Sequence, residues 1–94
     1  MDGMFQGAES FNQNISSWNP KHAKNIGHFF DGAQNYNQPL DWNFNSVASD
    51  SNVRDMFKDT KLSKENYCKT VKGKNIEQYA NALGVDYKPA DCSN

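Results

Sequence analysis

The sequence predicts an α/β fold: a short right-handed solenoid of helix–turn–strand coils, closed at its C-terminal end by a helical cap. Three observations predict it. Apolar residues recur at a fixed offset of 25 positions. Each copy joins an i, i+3, i+4, i+7 apolar stripe to a turn and a short strand ending in Trp. The pattern stops after Leu62, and two segments with helix start signals follow. The predicted division is a repeat solenoid over 1–62 and a cap over 63–94.

The repeat is read first. Phe5 matches Phe30, Gly7 matches Gly32, Ala8 matches Ala33, Phe11 matches Tyr36 and Asn12 matches Asn37, all at 25. Trp18 matches Trp42 at 24. Ser49-Asp50-Ser51 then reads as an insertion, after which Phe29 matches Met56 and Phe30 matches Phe57 at 27. In the first half of each copy, Ile26, Phe29, Phe30 and Ala33 fall on one face of an α-helix. Met1, Met4, Phe5 and Ala8 do the same, as do Val53, Met56, Phe57 and Thr60. Helices this short need packing to persist. In the second half, Ile15–Trp18 and Leu40–Trp42 read as short strands, which stack in parallel when the coils stack. Stacking predicts one column of Phe5, Phe30 and Phe57 and another of Ala8, Ala33 and Thr60. It also sets Asn12 above Asn37, where amides can bond the backbone of neighbouring coils.

The cap comes next. Ser63 is placed to cap a helix running to about Val71, with Gly73 as its stop. Asn75 starts a second helix with Gln78 as its capping-box partner, Ile76, Tyr79, Ala80 and Leu83 as its apolar face, and Gly84 as its C′ residue. Cys68 and Cys92 both lie in this block. A cysteine pair in a small domain points to one disulfide and an oxidising compartment; two buried thiols in a reducing one are the alternative.

Composition excludes several function classes. The chain is 36% hydrophobic and 13% aromatic, so rings supply most of the burial. A net charge of −1 offers no basic field for nucleic acid or anionic lipid. No stretch is apolar enough to insert in a membrane, and the first residues carry the repeat rather than a targeting signal. No nucleophile elbow, P-loop or dinucleotide fingerprint is present, so catalysis and cofactors are not expected. The carboxylates Glu9, Asp31, Asp41, Asp55 and Asp59 read as a solvated face. His22, His28, Cys68 and Cys92 lack metal-site spacing, so no metal is expected. Asn14-Ile15-Ser16 fits a glycosylation sequon.

The string Met4-Phe5-Gln6-Gly7-Ala8 through Phe11-Asn12-Gln13-Asn14-Ile15 to Trp18-Asn19 resembles the MF-x-x-A-x-x-FNQ-x-[IL]-x-x-W repeat of bacterial surface proteins and lipoproteins. That family has no known function and is regarded as related to the BspA-like leucine-rich repeats. Residues 29–43 match again, and 53–68 resemble its terminal form, with Leu62-Ser63 and Asn66-Tyr67. The resemblance covers roughly residues 1–68. It implies a leucine-rich-repeat-like solenoid and an extracellular or cell-surface location, within a longer lipoprotein in some members. It also implies binding or adhesion without catalytic residues.

The expected function is therefore a bacterial surface or secreted interaction module, not an enzyme, that binds a protein partner on a host or bacterial surface. The alternative is a carbohydrate-binding module using Trp18 and Trp42, whose rings can pack on sugar faces if exposed. Burial in the core competes with that role, and strand parity does not choose, because Trp18 follows Ile15 by three residues and Trp42 follows Leu40 by two. The N-terminal edge, with Met1, Met4 and Phe5 facing outward, is expected to be covered by further repeats or by self-association.

Overall fold

The computed structural model describes residues 3–18 and 24–92. Met1, Asn19 and His22 lie outside the described residues. Among those described there is no strand, so the α/β assignment fails, and the leucine-rich-repeat-like solenoid of helix–turn–strand coils fails with it. The only α-helix among them, α1, is Lys64–Val71, in the cap. Short 3-10 segments occupy Ser16–Trp18, Asp50–Asn52, Asn75–Ala82 and Pro89–Cys92.

The predicted repeat helices are runs of consecutive turns. In the second coil, the N–H groups of Phe29, Asp31 and Ala33 donate three residues back, to Ile26, His28 and Phe30. The alternate N–H groups of Ile26, His28, Phe30 and Gly32 leave the coil altogether. They donate to the carbonyls of Asn52, Arg54, Met56 and Lys58 in the next coil, at 2.8–2.9 Å. An α-helix would keep these donors inside its own i→i−4 ladder. Positive φ forbids that ladder here. It occurs at Gly3, His28 and Asp55, which are repeat equivalents, and at Gly7, Gly32 and Asp59, which are the next set. Position i+2 of a type II turn requires such a φ, and a right-handed helix cannot hold one. Gly32 serves a second purpose, because a Cβ built on it would stand 3.5 Å from the Gly7 backbone. Turns with i→i−3 bonds still set Ile26, Phe29, Phe30 and Ala33 on one side, and all four are buried.

The second half of each coil is extended without a ladder. Leu40, Trp42 and Phe44 are buried, while Asp41, Asn43 and Asn45 are exposed, the alternation of a strand. The backbone donors find side chains instead. Leu40 N–H donates to Thr70 Oγ1 and Asp41 N–H to Ser16 Oγ, both at 3.1 Å. In the first coil the same stretch is a 3-10 turn, Ser16–Trp18, which accounts for the spacing mismatch between the two tryptophans.

Rings in register form the core. Phe5, Phe30 and Phe57 stack at 5.9 and 5.7 Å, nearly coplanar, in the predicted column. Phe11 and Tyr36 form a parallel column at 6.0 Å. Within each coil the columns touch, Phe5 on Phe11 at 4.0 Å and Phe30 on Tyr36 at 3.9 Å.

Amides fix the register of the coils. Asn12 Oδ1 accepts from the Asn37 N–H at 2.9 Å and from Gln38 Nε2 at 3.0 Å. One coil on, Asn37 Oδ1 accepts from the Ser63 N–H and from Asn66 Nδ2, both at 2.9 Å. The first helix of the cap thus occupies the place of a further coil, Asn66 standing where a Gln would. Ser63 caps α1 as the sequence predicts, accepting from the Asn66 N–H. The second cap helix differs from expectation. It is a 3-10 segment broken at Tyr79, and Gln78 binds the Asn75 side chain and carbonyl rather than closing a capping box. Asn75 Nδ2 instead donates to the carbonyls of Phe44 and Val47, tying the cap to the second coil. Gly84, at φ +87, packs so tightly that a Cβ would stand 2.9 Å from Lys58 Cβ. The Cys68–Cys92 disulfide joins α1 to the tail, with Cα atoms 5.6 Å apart.

Tyr36 is buried among rings, and its hydroxyl has no protein hydrogen-bond partner. Burial pushes that hydroxyl above its ordinary value, and Tyr67 is raised by burial and then by Asp91 and Glu77. A raised tyrosine favours the folded state fully below about pH 10, the unfolded value, and that contribution is lost as pH climbs through the folded value. Tyr36→Phe, which installs the residue found at position 11, is expected to stabilise by about 1 kcal/mol by removing an unsatisfied buried group. It should also weaken the loss of stability in alkali. Urea titrations at neutral and alkaline pH check both; destabilisation at neutral pH would mean that the hydroxyl is satisfied in solution.

Candidate interaction surface

The two ends of the stack differ. At the C-terminal end the third coil is closed by the cap, where the Asp55 and Phe57 N–H groups donate to the carbonyls of Ala82 and Leu83. At the N-terminal end lie the exposed large hydrophobics among the described residues, Met4 at 52% and Trp18 at 50%. Phe5 and Phe11 sit beside them, half-buried, with the Trp18 ring 5.7 Å from that of Phe5. The equivalents of all four in the second coil, Phe29, Phe30, Tyr36 and Trp42, are buried. The difference is one of position in the stack, not of chemistry.

The two predicted ligand-binding tryptophans are thus separated by environment. Trp42 is buried, donates its indole N–H to the Ile15 carbonyl at 3.1 Å, and meets Phe29 edge-on at 5.5 Å. Trp18 alone has an open face, so the two rings form no exposed pair. The predicted disulfide partners, Cys68 and Cys92, are brought together and bonded.

Other groupings have structural explanations. An open groove of about 610 Å³ runs beside the disulfide, lined by Lys64, Glu65, Lys69, Lys72 and Asp91. Its charges are partly engaged, Lys69 with Glu65 at 3.5 Å and Lys72 with the Cys92 carbonyl at 3.2 Å. His28, Asp31 and Asp55 bring ligand atoms within 4.8 Å of one another, a grouping that spacing within one coil does not reveal. The equivalence of positions 28 and 55 could have revealed it. His28 Nδ1 already meets Asp31 Oδ2 at 2.9 Å, which ties down the turn. Lys74 Nζ binds Asp41 at 2.7 Å, and that hydrogen bond, with the lysine's charge, lowers the Asp41 carboxyl below its ordinary value. Glu9 and Asp59 are exposed, and Asp31 and Asp55 partly so. No helix among the described residues is long and apolar enough to cross a membrane.

Comparison with known proteins agrees with the repeat reading in its coarse form. The family described as "Mycoplasma protein of unknown function, DUF285" matches residues 1–71, which takes in the coils and α1. No curated protein and no solved structure matches the chain. With three quarters of its length inside that match, the chain belongs to this bacterial family of unknown function.

Proposed function

We propose that the chain is a non-catalytic interaction module of an exported bacterial protein, surface-held or secreted, that engages a protein partner through its N-terminal end. One observation carries the reading. The exposed large apolar side chains gather at one end of a stack whose other coils bury the same positions. Gln6, Ser10, Asn12 and Gln13 of the same coil are exposed too, and apolar patches set among polar groups characterise protein-binding surfaces. The disulfide supports an oxidising compartment, and so export.

The test compares the native chain with Trp18→Ala, a substitution that removes no hydrogen bond of the stack. Both are used for capture from cell-surface extract and on a glycan array. The expected result is protein capture that Trp18→Ala abolishes, with no glycan signal. Capture indifferent to Trp18 would overturn the reading. Trp18-dependent glycan binding would establish the second reading, a carbohydrate module, which the half-exposed face of Trp18 keeps open.

A further inference from the structure

The first coil rests on the second through a defined set of contacts, and the first coil's own outer face repeats the surface it rests on. On the second coil, the carbonyls of Gly27, Phe29 and Asp31 accept from the Gly3, Phe5 and Gly7 N–H groups, at 3.2, 2.9 and 2.8 Å. The Asn37 N–H and Gln38 Nε2 donate to Asn12 Oδ1, and Trp42 Nε1 donates to the Ile15 carbonyl. One repeat earlier, the same positions are the carbonyls of Met4 and Gln6, the Asn12 N–H, Gln13 Nε2 and Trp18 Nε1. None of these groups has a partner among the described residues. The ring columns end there too, with Phe5 and Phe11 half-open.

We propose that this face is the seat of a further coil of the same repeat, stacked in the same sense, and that it does not seat a second copy of this chain. The inference rests on the N-terminal end being the interaction surface and names the partner's chemistry. The occupant must offer a row of alternate backbone N–H donors, an Asn carboxamide oxygen and an aromatic pair in register. The underside of a coil carries all three. A second copy cannot offer that row. In this chain the donors of the first coil bind the second, those of the second bind the third, and Asp55 and Phe57 bind the cap. A second copy brings the same face, whose donors are the Asn12 N–H, Gln13 Nε2 and Trp18 Nε1 and not a row of backbone N–H groups, so the Met4 and Gln6 carbonyls would be desolvated without the alternate N–H partners that their second-coil equivalents have. The stack is therefore directional, open to a repeat coil at one end and sealed at the other.

The test adds a coil to the intact chain. A copy of residues 1–25 is placed before Met1, with the added Trp replaced by Phe so that Trp18, beside the already buried Trp42, remains the quenchable reporter. Acrylamide quenching, thermal unfolding and light scattering are compared with the parent chain. Expected are a several-fold loss of Trp18 quenching, a blue-shifted emission and a higher Tm in the extended chain, with the parent monomeric and quenchable at every concentration. A second extended variant, with Ala for Asn at the added coil's FNQ motif, should lose part of the gain. Several outcomes would overturn the inference: Trp18 still open in the extended chain, whether or not the added coil is ordered, or Trp18 protected in the parent as it self-associates. If Trp18 stays open yet still captures a non-repeat protein, the proposed function stands and only the partner is wrong. If it captures nothing, both fall.

Discussion

Phe30→Ala is expected to destabilise the protein by about 3–5 kcal/mol, the range for a fully buried phenylalanine. Phe30 is completely buried, is the middle ring of its column and touches both rings of the other. It stacks on Tyr36 at 3.9 Å within its coil and lies between Phe5 and Phe57 across coils. It also meets Phe11 at 6.1 Å and Phe29 edge-on at 4.7 Å. Truncation leaves a void that five rings border, and collapse of that void is resisted by the hydrogen bonds holding the coils at fixed spacing. Single domains of this size have roughly 5–15 kcal/mol of total stability, so the loss approaches the unfolding threshold. Phe5→Ala removes the equivalent ring from the half-open first coil and should cost only about 2 kcal/mol, in line with partial burial. Urea denaturation of both variants measures the difference. Equal losses would mean that the first coil is as well covered in solution as the second.

The columns and the register were legible in the sequence because they follow from translation alone. Whatever the local backbone, residues 25 or 27 positions apart superpose if coils stack, so the Phe5–Phe30–Phe57 column and the Asn12–Asn37 relation did not depend on identifying the elements. The elements themselves were misread for a physical reason. An i, i+3, i+4, i+7 apolar spacing fits an α-helix, but a run of i→i−3 turns orients Ile26, Phe29, Phe30 and Ala33 in the same way. The discriminating signal was Gly7 and Gly32 inside the supposed helices, at equivalent positions where a helix former would stand. His28, Asp55 and Asp59 take the same positive φ without being glycine and gave no such signal. The strands were misread because alternation of burial, clear at Leu40, Trp42 and Phe44, reports an extended backbone and not what that backbone bonds to. Here Ser16, Thr70 and Asn75 side chains take the place of a neighbouring strand. The open end was partly legible, since Met4 and Phe5 begin the repeat. The contrast between Trp18 and Trp42 was not, because it depends on which coil has another above it.

Removal of the Cys68–Cys92 bond, as the double variant Cys68→Ala/Cys92→Ala, is expected to cost about 3 kcal/mol. The bond spans a sequence separation of 24, and a loop of that size confines the unfolded chain substantially. At roughly 4–8 °C of Tm per kcal/mol in a domain of this length, the fall should be on the order of 12–24 °C. Locally, the bond holds the Pro89–Cys92 turn on α1 and supports the Tyr67–Tyr87 contact at 5.5 Å and the Lys72 bond to the Cys92 carbonyl. The segment inside the loop also supplies the Ala82 and Leu83 carbonyls that close the third coil, so loosening it weakens the sealed end of the stack. Calorimetry of native and variant chains, with amide exchange at Asp55 and Phe57, resolves the two effects. The Tm should drop by that margin, and those two amides should lose protection before Phe30 does. An unchanged Tm, together with two titratable thiols in the native protein under non-reducing conditions, would remove the disulfide and with it the structural support for an oxidising compartment.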